Sequence, residues 1–87
     1  MEGSRMLNEK IKEVINKWDP IGLGPGSYEV EIIDIIQAVH EINDPKLLAK
    51  RIQFIYEFSF EELIPLTECQ KIAKRVLLLK ETISYAM

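Results

Sequence analysis

Eighty-seven residues make one domain's worth of chain, with 47% hydrophobic and 29% charged side chains and a formal charge of −3 at pH 7. That composition excludes a disordered chain, and the acidic balance argues against general nucleic-acid binding, which needs a basic surface to displace counterions from phosphate. The single cysteine, Cys69, cannot form an internal disulfide, and the first ten residues carry no apolar h-region, so the expectation is a soluble cytoplasmic protein without a membrane segment.

Residues 6–18 are predicted as the first helix. Leu7, Ile11, Val14, Ile15 and Trp18 recur at three- and four-residue steps, the spacing of one helical face. Asp19-Pro20 ends it, because a residue before proline is pushed out of the helical region. The segment that follows, DPIGLGPGS, has three glycines and two prolines and cannot hold a helix. Its apolar Ile21 and Leu23 predict that it packs onto the domain.

A second helix is predicted over 28–42, with Ser27 as its N-cap. Glu29 and Glu31 fall in its first turn, where the helix dipole favours negative charge. Tyr28, Ile32, Ile35, Ile36, Val39 and Ile42 make its apolar stripe; their spacing of three and four, not two, decides for helix over strand. Asn43-Asp44-Pro45 marks the next boundary. Asn43 suits a left-handed C-terminal position, Asp44 an N-cap and Pro45 the first helical residue.

The third helix, 45–57, has a narrow polar stripe of Lys46, Lys50, Gln53 and Glu57. Leu47, Leu48, Ile52, Phe54, Ile55, Tyr56 and Phe58 cover most of the rest. So wide an apolar arc predicts burial on more than one side, at the centre of a bundle. Ser59-Phe60-Glu61-Glu62 matches a capping box, with Phe58 and Leu63 placed as a staple, and Pro65 limits it to a short helical turn near 60–64. Thr67 to Gln70 offers a second box. The last helix, 68–85, then places Cys69, Ile72, Ala73, Val76, Leu79 and Ile83 on its core face. The fold class is therefore all-α, a bundle of about four helices in a single domain, 1–87.

Charge is the least ordinary feature. From Trp18 through Pro45 there is no Lys or Arg, while Asp19, Glu29, Glu31, Asp34, Glu41 and Asp44 all fall there. Two readings stand. One is a solvated acidic helix; the other is a docking surface for a basic protein partner, where charge complementarity speeds and selects association. The segment lacks the D-x-D-x-D-G pattern of a calcium loop, and GLGPG lacks the GK[ST] ending of a phosphate loop, so neither metal nor cofactor is expected.

Arg51 falls inside the apolar arc of the third helix. A buried guanidinium needs a carboxylate, which predicts an ion pair to Asp19, Glu31 or Asp34; the alternative is an arginine reaching out from the core edge. His40 and Cys69 have no companion nucleophile or orienting group in any recognisable pattern, so both read as structural and the chain as no enzyme. Lys71 and Lys74 share a face with Leu78 and Tyr85. That face suits a homodimer contact better than nucleic acid.

The string Trp18-Asp19-Pro20-Ile21, a glycine-bearing loop, and Tyr28-Glu29-Val30-Glu31-Ile32 resembles the YugE-like family of small bacterial proteins, a domain of unknown function whose pattern is roughly W-D-P-[IL], a short loop, then E-Y-D-x-E-I. Cys69-Gln70-Lys71-Ile72-Ala73 is similar to its last helix, so the resemblance spans nearly the whole chain. Ser27 stands where that family tends to have an acid, and Glu29 where it has Asp. A shorter W-D-P…Y-D similarity links the string to small bacterial immunity proteins that neutralise toxins. The family resemblance implies a helical fold and a cytoplasmic bacterial protein and brings no activity with it. Read from the residues, the string is either structural, with Trp18 closing the core, Asp19 bonding loop amides, Pro20 setting the exit and Tyr28 packing as the second helix begins, or a binding motif.

The expectation is a small non-catalytic protein-interaction or regulatory module acting through the acidic 18–45 segment, with Trp18, Asp19, Pro20, Tyr28, Glu29, Glu31, Asp34 and Arg51 as candidate residues. A toxin-neutralising immunity-type protein is the alternative, and a metal-binding protein or enzyme a more distant one.

Overall fold

The computed structural model describes the backbone of residues 2–86 and the side chains of residues 5–83. Four helices run α1 (Glu2–Trp18), α2 (Glu29–Glu41), α3 (Pro45–Phe60) and α4 (Leu66–Ala86), and no strand occurs among the described residues. None of these helices is long and apolar enough to cross a membrane. Both α2 and α4 pack against all three other helices. The diagonal pair α1 and α3 is bridged by Trp18, whose ring meets that of Tyr56 edge-on at 5.5 Å.

In α1, Leu7, Ile11, Val14 and Ile15 are buried, as their spacing predicts. The helix begins at Glu2, four residues before the predicted start. It ends where expected but by an unexpected conformation. Asp19 takes φ 40°, in the left-handed region, instead of the extended shape that a following proline favours. Its amide still donates to Ile15 O at 3.1 Å, closing the last turn.

Ser27 does not cap α2. Tyr28 occupies the N-cap position without a side-chain cap bond, and the Ser27 hydroxyl donates backwards to Leu23 O at 3.0 Å. The loop's own carbonyls compete successfully for that hydroxyl. Ile32, Ile35, Ala38 and Val39 carry the core face of α2, with Ile36 and Ile42 half-buried. Asn43 is not left-handed. Its side chain serves instead as an acceptor, 3.0 Å from the ammonium of Lys80 on α4. Asp44 and Pro45 behave as read: the Asp44 carboxylate accepts from Lys46 N at 2.9 Å, and the proline follows at the first helical position.

Three expectations for the second half fail together. α3 continues through Ser59 and Phe60, so the Ser59 capping box and the helical turn near 60–64 do not form. Phe60 explains this. It sits one turn beyond Tyr56, stacks on it at 6.0 Å and meets Tyr28 edge-on at 5.9 Å. That aromatic packing outweighs a cap worth roughly 1 kcal/mol. Glu61 then ends α3 in the left-handed conformation at φ 56°. The second box, at Thr67, also fails. α4 starts two residues early, with the Pro65 carbonyl accepting from Glu68 N and Cys69 N at 3.0 and 3.2 Å. Between the helices, Gln53 Nε2 donates to Ile64 O at 2.8 Å and fixes the connection, while Ile64 itself is buried.

α3 is not the buried centre. Leu48, Ala49, Ile52, Ile55 and Tyr56 face the core, but Leu47, Phe54 and Phe58 stand 56%, 61% and 79% exposed. An arc can be apolar without being covered, and here α2 and α4 cover one side of α3 and leave the other open. Among the described residues, nineteen buried apolar side chains from all four helices, Tyr28 and Ile64 make one continuous core. A fully buried one such as Ile52 or Ile35 contributes about 1.5–3 kcal/mol.

Candidate functional site

The tryptophan–tyrosine string builds a closed unit at the end of α1. Asp19 sits where the chain leaves the helix, and its left-handed backbone turns the carboxylate back over the loop. Oδ1 accepts from Leu23 N at 2.9 Å, and the Gly24 amide reaches both carboxylate oxygens at 3.2 Å. Gly24 has φ +90°, a conformation that side chains other than glycine's rarely allow. From the opposite side the Tyr28 hydroxyl donates to Asp19 Oδ1. The same hydroxyl accepts from Ile21 N at 3.3 Å and Leu23 N at 3.4 Å. Asn16 on α1 closes the loop's far end, accepting from Gly26 N at 3.3 Å.

The electrostatics follow from those bonds. The Tyr28 hydroxyl bond, opposed by partial desolvation and helped by the amides of Gly24, Leu23 and Gly22, holds the Asp19 carboxyl below its ordinary value of 3.8. Burial, then the Asp19 carboxylate, pushes the Tyr28 phenol up. Beneath them the Tyr56 ring is fully buried, edge-on to Tyr28 at 5.6 Å, and its hydroxyl has no hydrogen-bond partner among the described residues. Burial first, and then the nearby Tyr28, Glu31, Cys69 and Asp19, drive the Tyr56 phenol far above its ordinary range.

Of the residues singled out from sequence, Trp18, Asp19, Pro20 and Tyr28 come together in this unit, which uses its polar groups internally. Glu31 lies close by and is the buried charged residue of the described chain, 7% exposed. Glu29, Asp34 and Arg51 are separate from the unit and exposed. The expected ion pair from Arg51 to Asp19, Glu31 or Asp34 is not formed. The described salt bridges are Lys10–Glu13 and Lys71–Glu68, and Arg51 lies on the outer face of α3, where no desolvation demands a partner. Tyr56, Phe60 and Asn16 complete the unit without having been singled out; the four-residue step between the two aromatics was the available signal.

The other chemical groups are also committed. His40 is exposed, with Nε2 3.0 Å from Asn8 Oδ1. Cys69 is buried, and burial pushes its thiol up to about 11. Its place near the start of α4 does not lower it, because burial dominates and the neighbouring Glu68 carboxylate adds to it. Among the described residues no group of three or more His, Cys, Asp or Glu side chains could hold a metal ion. Leu78 is 63% exposed, as a contact on α4 requires, whereas the Tyr85 side chain lies outside the described residues.

A pair of matched rows lies open to solvent on α2 and α3. On α2, Val30, Asp34, Gln37 and Glu41 follow one another at steps of four, three and four, with Ile33 beside them. On α3, Leu47, Arg51, Phe54 and Phe58 repeat the same steps, and α2 packs against α3. All nine side chains are exposed, and five of them are large and apolar. Phe54 and Phe58 touch each other, ring centroids 6.1 Å apart, and have no core to enter.

Comparison with known proteins agrees with the whole architecture. The family model described as "Domain of unknown function (DUF1871)" matches residues 10–86. "Uncharacterized protein YugE" of Bacillus subtilis (strain 168) is 46% identical over 84 residues, covering 97% of this chain and 96% of its own. A crystal structure of APC36109 from Bacillus stearothermophilus superposes with a TM-score of 0.86 at 49% identity, covering 90% of this chain and 96% of that one. The chain is a member of the DUF1871 family, a helical domain of unknown function with Bacillus relatives.

Proposed function

We propose that the chain is a non-catalytic protein-interaction module whose docking face is the exposed side of α2 and α3. The observation that carries this is the row Leu47, Phe54 and Phe58, left more than half exposed beside the acid-bearing row of α2. Contiguous exposed apolar side chains, aromatic ones above all, are the usual signature of a protein contact. On this face Asp34 and Glu41, with Glu29 at its end, outnumber the single cation Arg51 and favour a partner that surrounds an apolar patch with basic side chains. The sequence pointed to the acidic 18–45 segment, with Arg51 as a candidate outside it. The site is better drawn without Asp19, whose carboxylate is occupied by its own loop, and with the outer row of α3.

The fold supports a module of this kind. The buried thiol of Cys69 and the Asn8-bound ring of His40 leave neither group placed as a nucleophile and base pair. A photo-crosslinking residue at position 54 or 58, with position 63 as control, should trap one protein in the native cells. Purified, that protein should bind with an affinity that falls at least about tenfold in Phe58→Asp and that weakens with salt. Capture of nothing but a second copy of this chain, or unchanged affinity in Phe54→Asp and Phe58→Asp, would overturn the proposal.

A further inference from the structure

A second site is built by α1 and α4, independently of the α2–α3 face. Lys10, Glu13, Val14 and Lys17 of α1 and Arg75 and Leu79 of α4 line a groove of about 280 Å³. On α1 the steps from Lys10 to Val14 to Lys17 are four and three, so two cations flank one apolar residue on a single face. On α4 the four-residue step from Arg75 to Leu79 repeats the pairing of cation and apolar group. We propose that this groove binds a small organic phosphate, its phosphoryl group held between Lys17 and Arg75 and its short apolar body lying over Val14 and Leu79.

Charge and size both point to that ligand. Three cations face the groove against one carboxylate, in a chain whose formal charge is −3. The carboxylate, Glu13, already lies 3.7 Å from Lys10. Lys17 and Arg75 have no carboxylate within salt-bridge distance among the described residues. Lys17 stands in the last turn of α1, where a cation complements the helix dipole, and that alone would account for it. The dipole does not account for Arg75, which lies mid-helix in α4 and carries the planar donor fork that matches phosphate oxygens. The volume lies just below the range of about 300–1,000 Å³ usual for small-molecule sites, which limits the ligand to a compact one. Val14, buried, and Leu79, half-buried, give the groove an apolar wall that inorganic phosphate would leave unused.

The test is an amide-resolved NMR titration of the full ¹⁵N-labelled chain with inorganic phosphate and with phenyl phosphate, ionic strength held constant by chloride. Saturable shifts should cluster at Lys10, Val14, Lys17, Arg75 and Leu79, with phenyl phosphate binding more tightly. Arg75→Gln should weaken phenyl phosphate about tenfold, the loss expected for one charge-assisted contact, while Lys71→Gln on the same helix leaves it unchanged. Should Arg75→Gln fail to fold, Lys17→Gln replaces it with the same expectation. Shifts that never saturate or spread over all lysines, equal binding of the two phosphates, or full affinity in the folded variant would overturn the proposal.

Discussion

Lys80 of α4 places its ammonium 2.8 Å from the carbonyl oxygen of Val39, in the last turn of α2. Asn43 Oδ1 lies 3.0 Å away and the His40 carbonyl 3.5 Å away, so one side chain gathers acceptors that α2 cannot satisfy within itself. A cation there also complements the negative end of the helix dipole. Lys80→Met keeps the aliphatic stem and removes the donor. It should destabilise the fold by about 1–2 kcal/mol. A thermal midpoint lower by at least about 4 °C is the expected result in calorimetry. A midpoint equal to that of the unsubstituted chain would show that solvent serves those carbonyls as well.

Asp19 makes stability depend on pH with a definite sign. Its carboxyl titrates below the ordinary value of 3.8 in the folded chain, because the Tyr28 hydroxyl and the loop amides favour the charged form. The stabilisation is therefore complete above about pH 4 and is lost as pH falls through the depressed folded value. Asp19→Asn should melt lower than the unsubstituted chain at pH 6, and the gap should narrow as pH drops toward 2. A gap that stays constant over that range would assign the loss to packing.

Tyr28 and Tyr56 should respond in opposite ways to loss of a hydroxyl. The Tyr28 hydroxyl donates to Asp19 and accepts from two amides, so Tyr28→Phe removes three hydrogen bonds, leaves the Ile21 amide without its partner and lowers the midpoint, although Leu23 N and the Asp19 carboxylate keep each other. The Tyr56 hydroxyl is buried without a partner among the described residues. Leaving a polar group in that condition costs about 1–3 kcal/mol. Tyr56→Phe should raise stability by about 1 kcal/mol in urea unfolding at unchanged slope. A loss of stability there would mean that an ordered water satisfies the phenol.

Cys69 should be slow to react. Its side chain is buried and its thiol is pushed up to about 11, so at pH 8 about one thiol in a thousand is ionised. Alkylation of the folded chain should proceed at least about a hundredfold slower than that of the urea-unfolded chain. Equal rates would place the thiol at the surface.

Sequence patterning settled most of what is local. The apolar steps of Leu7 to Trp18, Tyr28 to Ile42 and Cys69 to Ile83 marked helices whose stripes are buried or half-buried. Asp44-Pro45 marked a helix start that forms as read. Asp19 as the organiser of its loop was also legible, since a carboxylate followed by glycine-rich backbone has donors within a few residues. Caps were less legible because they are weak. Ser27, Ser59 and Thr67 each had the right neighbours, and each lost to something stronger: a loop carbonyl, the burial of Phe60, and the Pro65 carbonyl.

The sequence by itself determined that this chain is a bundle of helices and which stripes of α1, α2 and α4 turn inward, because helical period is written in the spacing of neighbouring residues. Only the tertiary structure decided what each helix presents outward. The wide apolar arc of α3 is compatible with two covered flanks or one. The packing of α2 and α4 leaves Arg51 and the Phe54–Phe58 pair on the open side. The link from Lys80 to the end of α2 spans 41 positions, and the groove of Lys17 and Arg75 joins residues still further apart. Contacts over such distances depend on the angles at which helices cross, and no local pattern encodes those.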